Sequence, residues 1–168
     1  MERRPYRTLF LCTGNSARSL MAECALGRWG ADRFAAFSAG SQPKGAPHPL
    51  TLELLRRLHY DVSELRSKSW DEFGGPGAQP LDFVFTVCDR ARGEVCPIWP
   101  GRPVTAHWGS DDPVLAQGDD EQKLRVFRRV YTELESRIKL FVSLPIESLD
   151  RLVLARRVQA IGKTDPMP

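Results

Sequence analysis

The period of the apolar positions changes along the chain, and each change marks an expected element. Residues 7–12, Arg7-Thr8-Leu9-Phe10-Leu11-Cys12, form a short, nearly continuous apolar run that stops at Thr13-Gly14-Asn15-Ser16. This predicts a buried strand ending in a tight turn. Residues 16–29 contain no proline, and Leu20, Met21, Cys24 and Ala25 recur at helical spacing. Residues 34–38 predict a second strand, closed by Ala39-Gly40. Beyond Pro47 and Pro49, the side chains Leu50, Leu54, Leu55 and Leu58 share one helical face. Residues 82–87 predict a third strand and residues 104–108 a weaker fourth. Leu124, Phe127, Tyr131, Leu134, Ile138 and Phe141 recur every three or four residues among charged positions, which predicts a long amphipathic helix. After Pro145, residues 147–161 read as one more helix. The Gly74-Gly75-Pro76-Gly77 stretch reads as a loop within the domain.

Strands alternating with helices imply an α/β fold with a mostly parallel sheet covered on both faces. The length of 168 residues suits one domain, with a core at about 7–142 and a terminal helix at about 147–161. With 42% hydrophobic and 27% charged residues, the composition is that of a globular protein. A formal charge of +3 suits a small anionic substrate, and the absence of a basic run argues against nucleic acid. The charged start Met1-Glu2-Arg3-Arg4-Pro5 and the shortness of the Leu9-Phe10-Leu11 run argue against a signal segment or a membrane span. A cytoplasmic location is therefore expected, and a monomer is the default expectation. Four cysteines in a reducing compartment point to buried or reactive thiols rather than a disulfide framework. The histidine and cysteine spacing gives no zinc site.

Ligands of open α/β sheets bind at the carboxyl ends of the strands. Here that place is the run Cys12-Thr13-Gly14-Asn15-Ser16-Ala17-Arg18-Ser19. A cysteine, five residues and an arginine can close into a ring of converging backbone N–H groups that opens onto a helix N-terminus. Such a nest holds an anion with several oxygens. Arg18 returns to the same cavity with a planar fork that grips two oxygens. The same field favours a thiolate, lowering a cysteine from about 8.5 toward roughly 3.5–7.5. Cys12 is thus the candidate nucleophile, with the Ser19 hydroxyl a candidate donor to it. The spacing alone also fits a buried strand thiol followed by a solvated arginine. The preceding strand, the internal Gly14 and the following helix favour the anion reading. Cys24, mid-helix among apolar residues, reads as core.

These residues resemble the signature loop of the low-molecular-weight protein tyrosine phosphatase superfamily. The longer run from Cys12 to Leu20-Met21-Ala22-Glu23 is more similar to the arsenate reductase branch. Ser38-Ala39-Gly40, Arg66-Ser67-Lys68-Ser69, Thr86-Val87-Cys88-Asp89, Cys96-Pro97 and His107-Trp108-Gly109-Ser110-Asp111-Asp112-Pro113 match in order and spacing. The resemblance implies a four-stranded parallel sheet flanked by helices on both faces, here with an extra C-terminal helix. It implies that Asp112, in its Asp-Pro pair, is the general acid, whereas the bare sequence also fits a turn or helix cap. The phosphatases usually place Tyr after this proline. Here Val114 stands there, which weakens the case for a phosphotyrosine substrate.

Cys88 ends the third strand and faces the crevice of Cys12, and Cys96 lies across a polar loop containing Gly93. Read without the family, Cys88 also fits the core. The resemblance implies a relay: Cys12 attacks arsenate, Cys88 attacks Cys12 and releases arsenite, and Cys96 carries the disulfide to an external thiol reductant. Thioredoxin and glutathione with glutaredoxin are the candidate donors. Phosphate and sulfate are expected to compete with arsenate. Some relatives bind potassium near the loop, and Asn15, Glu23 and Ser38 match its ligand types. Two other readings stay open: a phosphomonoester hydrolase using Cys12, Arg18 and Asp112, and a non-catalytic oxyanion-binding module.

Overall fold

The computed structural model describes residues 4–88 and 99–163. Four parallel strands, β1 (Tyr6–Cys12), β2 (Phe34–Gly40), β3 (Phe83–Thr86) and β4 (Val104–His107), form one sheet in the order β2-β1-β3-β4. In register, Cys12 pairs with Gly40, Leu11 with Thr86, and Thr86 with His107. The central β1 is buried from Thr8 onward, which is why it reads as a continuous apolar run rather than an alternating one.

The helices of the described residues are α1 (Arg18–Gly30), α2 (Pro49–Arg57), α3 (Asp120–Val142) and α4 (Arg151–Ile161). Side chains from all four join Phe10, Phe83 and Phe85 in one core. On the other side of the sheet, Leu9, Leu11, Ala39 and Val84 lie under Trp70, Phe73 and Trp99. Trp70–Phe73 is a 3-10 helix, so helical structure covers both faces. No helix among the described residues is long and apolar enough to cross a membrane.

Local chemistry sets the boundaries. A capping box starts α3: Gln122 N–H donates to Asp119 Oδ1 at 2.9 Å, and Asp119 N–H donates to Gln122 Oε1 at 2.8 Å. The terminal helix begins four residues later than residue 147. Ile146–Ser148 instead make a 3-10 turn, and Asp150 Oδ1 accepts from Val153 N–H at 2.9 Å to start α4 at Arg151. The first helix likewise begins at Arg18 rather than at residue 16, and no side chain caps it. Its first N–H groups have no acceptor of the helix's own.

Gly40 closes β2 where the loop after β1 passes closest. A Cβ there would stand 2.4 Å from Thr13 O and 2.8 Å from Cys12 O. Gly40→Ala is therefore expected to displace the loop after β1 and to destabilise the fold by about 1–3 kcal/mol. Chemical denaturation measures it, and an unchanged midpoint would contradict the close approach.

Candidate active site

From β1 the chain moves outward to β2 on one side, and β3 and β4 lie on the other. The crevice between the ends of β1 and β3 is the switch point at which such sheets bind ligands. Cys12 is the last residue of β1, and Cys88 lies just past the end of β3. Both thiols are buried, and they face each other in hydrogen-bond contact. Thr13 Oγ1 lies 3.8 Å from Cys88 Sγ.

The loop between β1 and α1 is held from outside by its carbonyl groups. Thr13 O accepts from Gln42 N–H, Gly14 O from Lys44 N–H and Ser16 O from His48 N–H, each at 2.9 Å. Thr51 Oγ1 also donates to Ser16 O, at 2.8 Å. In a trans peptide the following N–H points opposite to the carbonyl. The N–H groups of Gly14, Asn15 and Ala17 are thereby turned to the inside of the loop. Gly14 N–H donates to the Cys12 thiol. The bend itself falls on Asn15, with φ of 45°, and not on Gly14. Asn15 is fully buried; its Nδ2 donates to Ser19 Oγ at 2.7 Å and Ser38 Oγ at 3.0 Å, and its Oδ1 accepts from Lys68 N–H at 2.9 Å. Ser19 thus belongs to the frame that fixes the turn.

Above the loop lies a cavity of about 750 Å³, lined by Cys12, Thr13, Gly14, Ser16, Ala17 and Arg18 below. Gln42, Lys44, Cys88, Ser110, Asp112 and Glu133 are among the residues of its walls. Arg18 donates to Ser110 O at 2.8 Å and lies 3.5 Å from Asp112 Oδ2. Among the described residues, Arg18 Nε and Ser110 Oγ are buried without a hydrogen-bond partner. Buried donors in that state are costly, and both residues line the cavity. Asp112 Oδ1 caps the Pro113–Leu115 3-10 turn through Val114 N–H at 3.0 Å. The neighbouring Asp111 turns outward to Arg129, at 3.4 Å. Asp112, not Asp111, is therefore the carboxylate beside Arg18.

The electrostatics differ from the simple expectation of a lowered Cys12. The hydrogen bond with Cys88 is the largest influence on Cys12 and pushes its thiol up, as does burial. The Arg18 guanidinium and the Gly14 N–H pull it down. Two thiols in contact share one negative charge far more readily than they carry two. Arg18 and the Gly14 N–H favour a charge on Cys12, while the contact with Cys88 and burial oppose it. Cys24 stands apart from this site. Burial, followed by the Glu23 carboxylate, pushes it up to about 12, an inert thiol at neutral pH.

Residues 7–154 match the low molecular weight phosphotyrosine protein phosphatase family. The chain belongs to that family. Within it, the chain is 41% identical over 132 residues to an arsenate reductase of Halalkalibacterium halodurans, covering 79% of this chain and 91% of that protein. An arsenate reductase of Bacillus subtilis is 36% identical with the same coverage. Among solved structures, an arsenate reductase from Archaeoglobus fulgidus superposes with a TM-score of 0.64 at 26% identity, over 82% of this chain and 99% of that one. The Corynebacterium glutamicum thioredoxin-dependent arsenate reductase gives a TM-score of 0.54 at 25% identity over 83% of this chain, which spans 65% of that longer chain.

The structure brings together Cys12, Arg18, Cys88, Asp112 and the whole run from Thr13 to Ser19. Cys96 lies outside the described residues. Sequence reasoning assigned no role to Gln42, Lys44, Ser110 or Glu133. Ser110 stood inside the matched His107–Pro113 run and could have been singled out there. Gln42 and Lys44 carry no motif; only the chain path past Gly40 brings them to the loop.

The coupling of the thiols has a measurable consequence. Cys88→Ala removes the largest upward influence on Cys12 and leaves Arg18 and Gly14 in place. The pH midpoint of Cys12 alkylation, followed by peptide mapping, is expected to fall in this variant. A midpoint that stays or rises would show that the pair is not coupled.

Proposed function

We propose that this protein reduces arsenate to arsenite, with Cys12 as nucleophile and Cys88 and Cys96 as the relay. The observation that supports the reading best is the contact of two buried thiols, Cys12 and Cys88, in the cavity above the loop after β1. Hydrolysis of an ester needs one thiol. Reduction of arsenate needs two electrons, and two thiols becoming one disulfide supply them.

In the proposed sequence arsenate sits in the loop from Thr13 to Ser19, its oxygens on the inward N–H groups and Arg18. Arg18 leaves its ground-state partners Ser110 O and Asp112 to do so. The Cys12 thiolate bonds to arsenic, and an arsenate oxygen departs as water after Asp112 supplies a proton. Cys88, deprotonated, then attacks Cys12 Sγ. The sulfur–sulfur bond forms, the sulfur–arsenic bond breaks, and its electron pair leaves with arsenic as arsenite. Cys96 attacks Cys88 Sγ, which frees Cys12 as a thiolate and leaves a Cys88–Cys96 disulfide. An external dithiol reduces that bond. Thioredoxin is the favoured donor, because the Corynebacterium relative is thioredoxin-dependent by name; glutathione with glutaredoxin is the other chemistry that balances. Phosphate and sulfate have the shape to occupy the same loop.

The test is a set of serine variants assayed for arsenite in single and multiple turnovers. Cys12→Ser is expected to lose all turnover, because its hydroxyl stays protonated where a thiol ionises. Cys88→Ser is expected to release no arsenite yet to keep slow aryl phosphate hydrolysis, since water can resolve a phosphocysteine. Cys96→Ser is expected to give a single burst near one arsenite per enzyme and then stall. Sustained turnover in Cys96→Ser would replace the relay with direct attack of the external thiol on Cys12 or Cys88. A second prediction concerns binding. Inorganic phosphate or sulfate is expected to slow alkylation of Cys12 in a saturable way, and an alkylation rate indifferent to both would remove the anion-holding loop from the reading.

A further inference from the structure

Lysine is almost never buried unless paired, and Lys68 is only 9% exposed. It is absent from the lining of the cavity and lies behind the loop instead. Its Nζ donates to Arg66 O at 3.0 Å and to Ser38 Oγ at 3.4 Å, and stands 3.7 Å from Glu23 Oε1. Ser38 Oγ donates to Glu23 Oε1 at 2.7 Å and accepts from Asn15 Nδ2 at 3.0 Å. The backbone N–H of the same lysine donates to Asn15 Oδ1 at 2.9 Å. Lys68 therefore holds both ends of the Asn15 amide, its oxygen directly and its nitrogen through Ser38. Burial pulls the Lys68 pKa down, and the Glu23 carboxylate opposes this by pulling it up.

Asn15, Glu23 and Ser38, the residue types that suit potassium, do gather in one place. They do not fit the ion as arranged. The Asn15 oxygen already accepts from the Lys68 N–H, the Asn15 group facing Ser38 is a donor, and an ammonium stands against the Ser38 and Glu23 oxygens. A metal cation added there would meet that positive charge at close range.

We propose that Lys68 is a built-in cation that stands in place of a bound monovalent metal ion behind the oxyanion loop and positions the Asn15 turn. This rests on the oxyanion-loop reading above. The role is indirect: Lys68 fixes Asn15, Asn15 fixes the inward N–H groups, and those meet the anion. An ammonium group suits the exchange because it carries the same charge as a potassium ion, has a similar radius and is satisfied by oxygens alone.

The experiment measures protection of Cys12 from alkylation by inorganic phosphate, and arsenate turnover beside it, in potassium chloride or choline chloride at one ionic strength. The wild-type protein is expected to behave identically in both salts. Lys68→Ala removes the charge and opens the space its chain fills. In choline this variant is expected to lose phosphate protection and turnover by up to about 100-fold, the scale of a misplaced catalytic loop. Potassium or ammonium, but not lithium, is expected to restore much of the loss. Potassium stimulation of the wild-type protein would overturn the proposal, and so would a Lys68→Ala defect that potassium leaves untouched. If Lys68→Ala does not fold, the wild-type comparison decides alone. Wild-type protein that phosphate fails to protect in either salt would instead overturn the loop reading, and the Lys68 proposal with it.

Discussion

A left-handed backbone costs a residue with a side chain about 1–2 kcal/mol, and the loop after β1 places one on Asn15, at φ 45°. What repays that cost is a side-chain amide with its donors and its acceptor in use, on Ser19, Ser38 and Lys68. Everything else in the site follows from this turn. It reverses the chain so that the carbonyls of Thr13, Gly14 and Ser16 face outward into the 42–48 segment. Their partner N–H groups then face inward, and the chain is delivered into α1 with no side chain competing for the helix N-terminus. Asparagine suits the position for two separate reasons: it tolerates the left-handed region better than most residues, and its side chain offers both donor and acceptor.

The frame around Asn15 leaves the reactive groups underused, and that is where the chemistry gains its leverage. Arg18 spends its charge on Asp112 and a carbonyl while its Nε goes without a partner among the described residues. That unused donor belongs to a residue lining the cavity above the loop. The two thiols obey a related constraint. In contact they share one negative charge far more readily than they carry two.

Much of this was legible in the sequence because it rests on local rules. The apolar run of β1 and the glycine, asparagine and serine after it gave the site its position, and the three- and four-residue spacing gave α3 its face. The failures have physical causes. Residues 147–149 have helix-compatible side chains, but the side chain of Asp150 captures Val153 N–H and sets the true start of α4. The expected lowering of Cys12 considered the loop alone, whereas the strongest influence comes from Cys88, 76 residues along the chain, whose proximity only the β1–β3 pairing creates. Lys68 looked like one member of a matched polar run. Its burial depends on where the chain passes behind Ser38, which no spacing rule reports.

The C-terminal helix bears on the same site from the far side. Trp108, between β4 and Asp112, is completely buried and stacks on Phe85 with ring centroids 4.0 Å apart. Its indole N–H donates to Val158 O of α4 at 2.9 Å. Gly162, at the end of that helix, comes so close to His107 O that a Cβ there would stand 2.2 Å away. Arg137 of α3 closes the other side by donating to Trp108 O at 3.2 Å and Gly109 O at 2.8 Å. The backbone carrying Ser110 and Asp112 is thus clamped between α3 and α4, and it is further tied to the sheet by Ser110 N–H on Val87 O at 3.2 Å. Such a mount fixes where the Asp112 carboxylate stands relative to Arg18, 3.5 Å away. The extra helix therefore acts on the geometry of Asp112 without lining the cavity, through the one tryptophan that spans the distance between them.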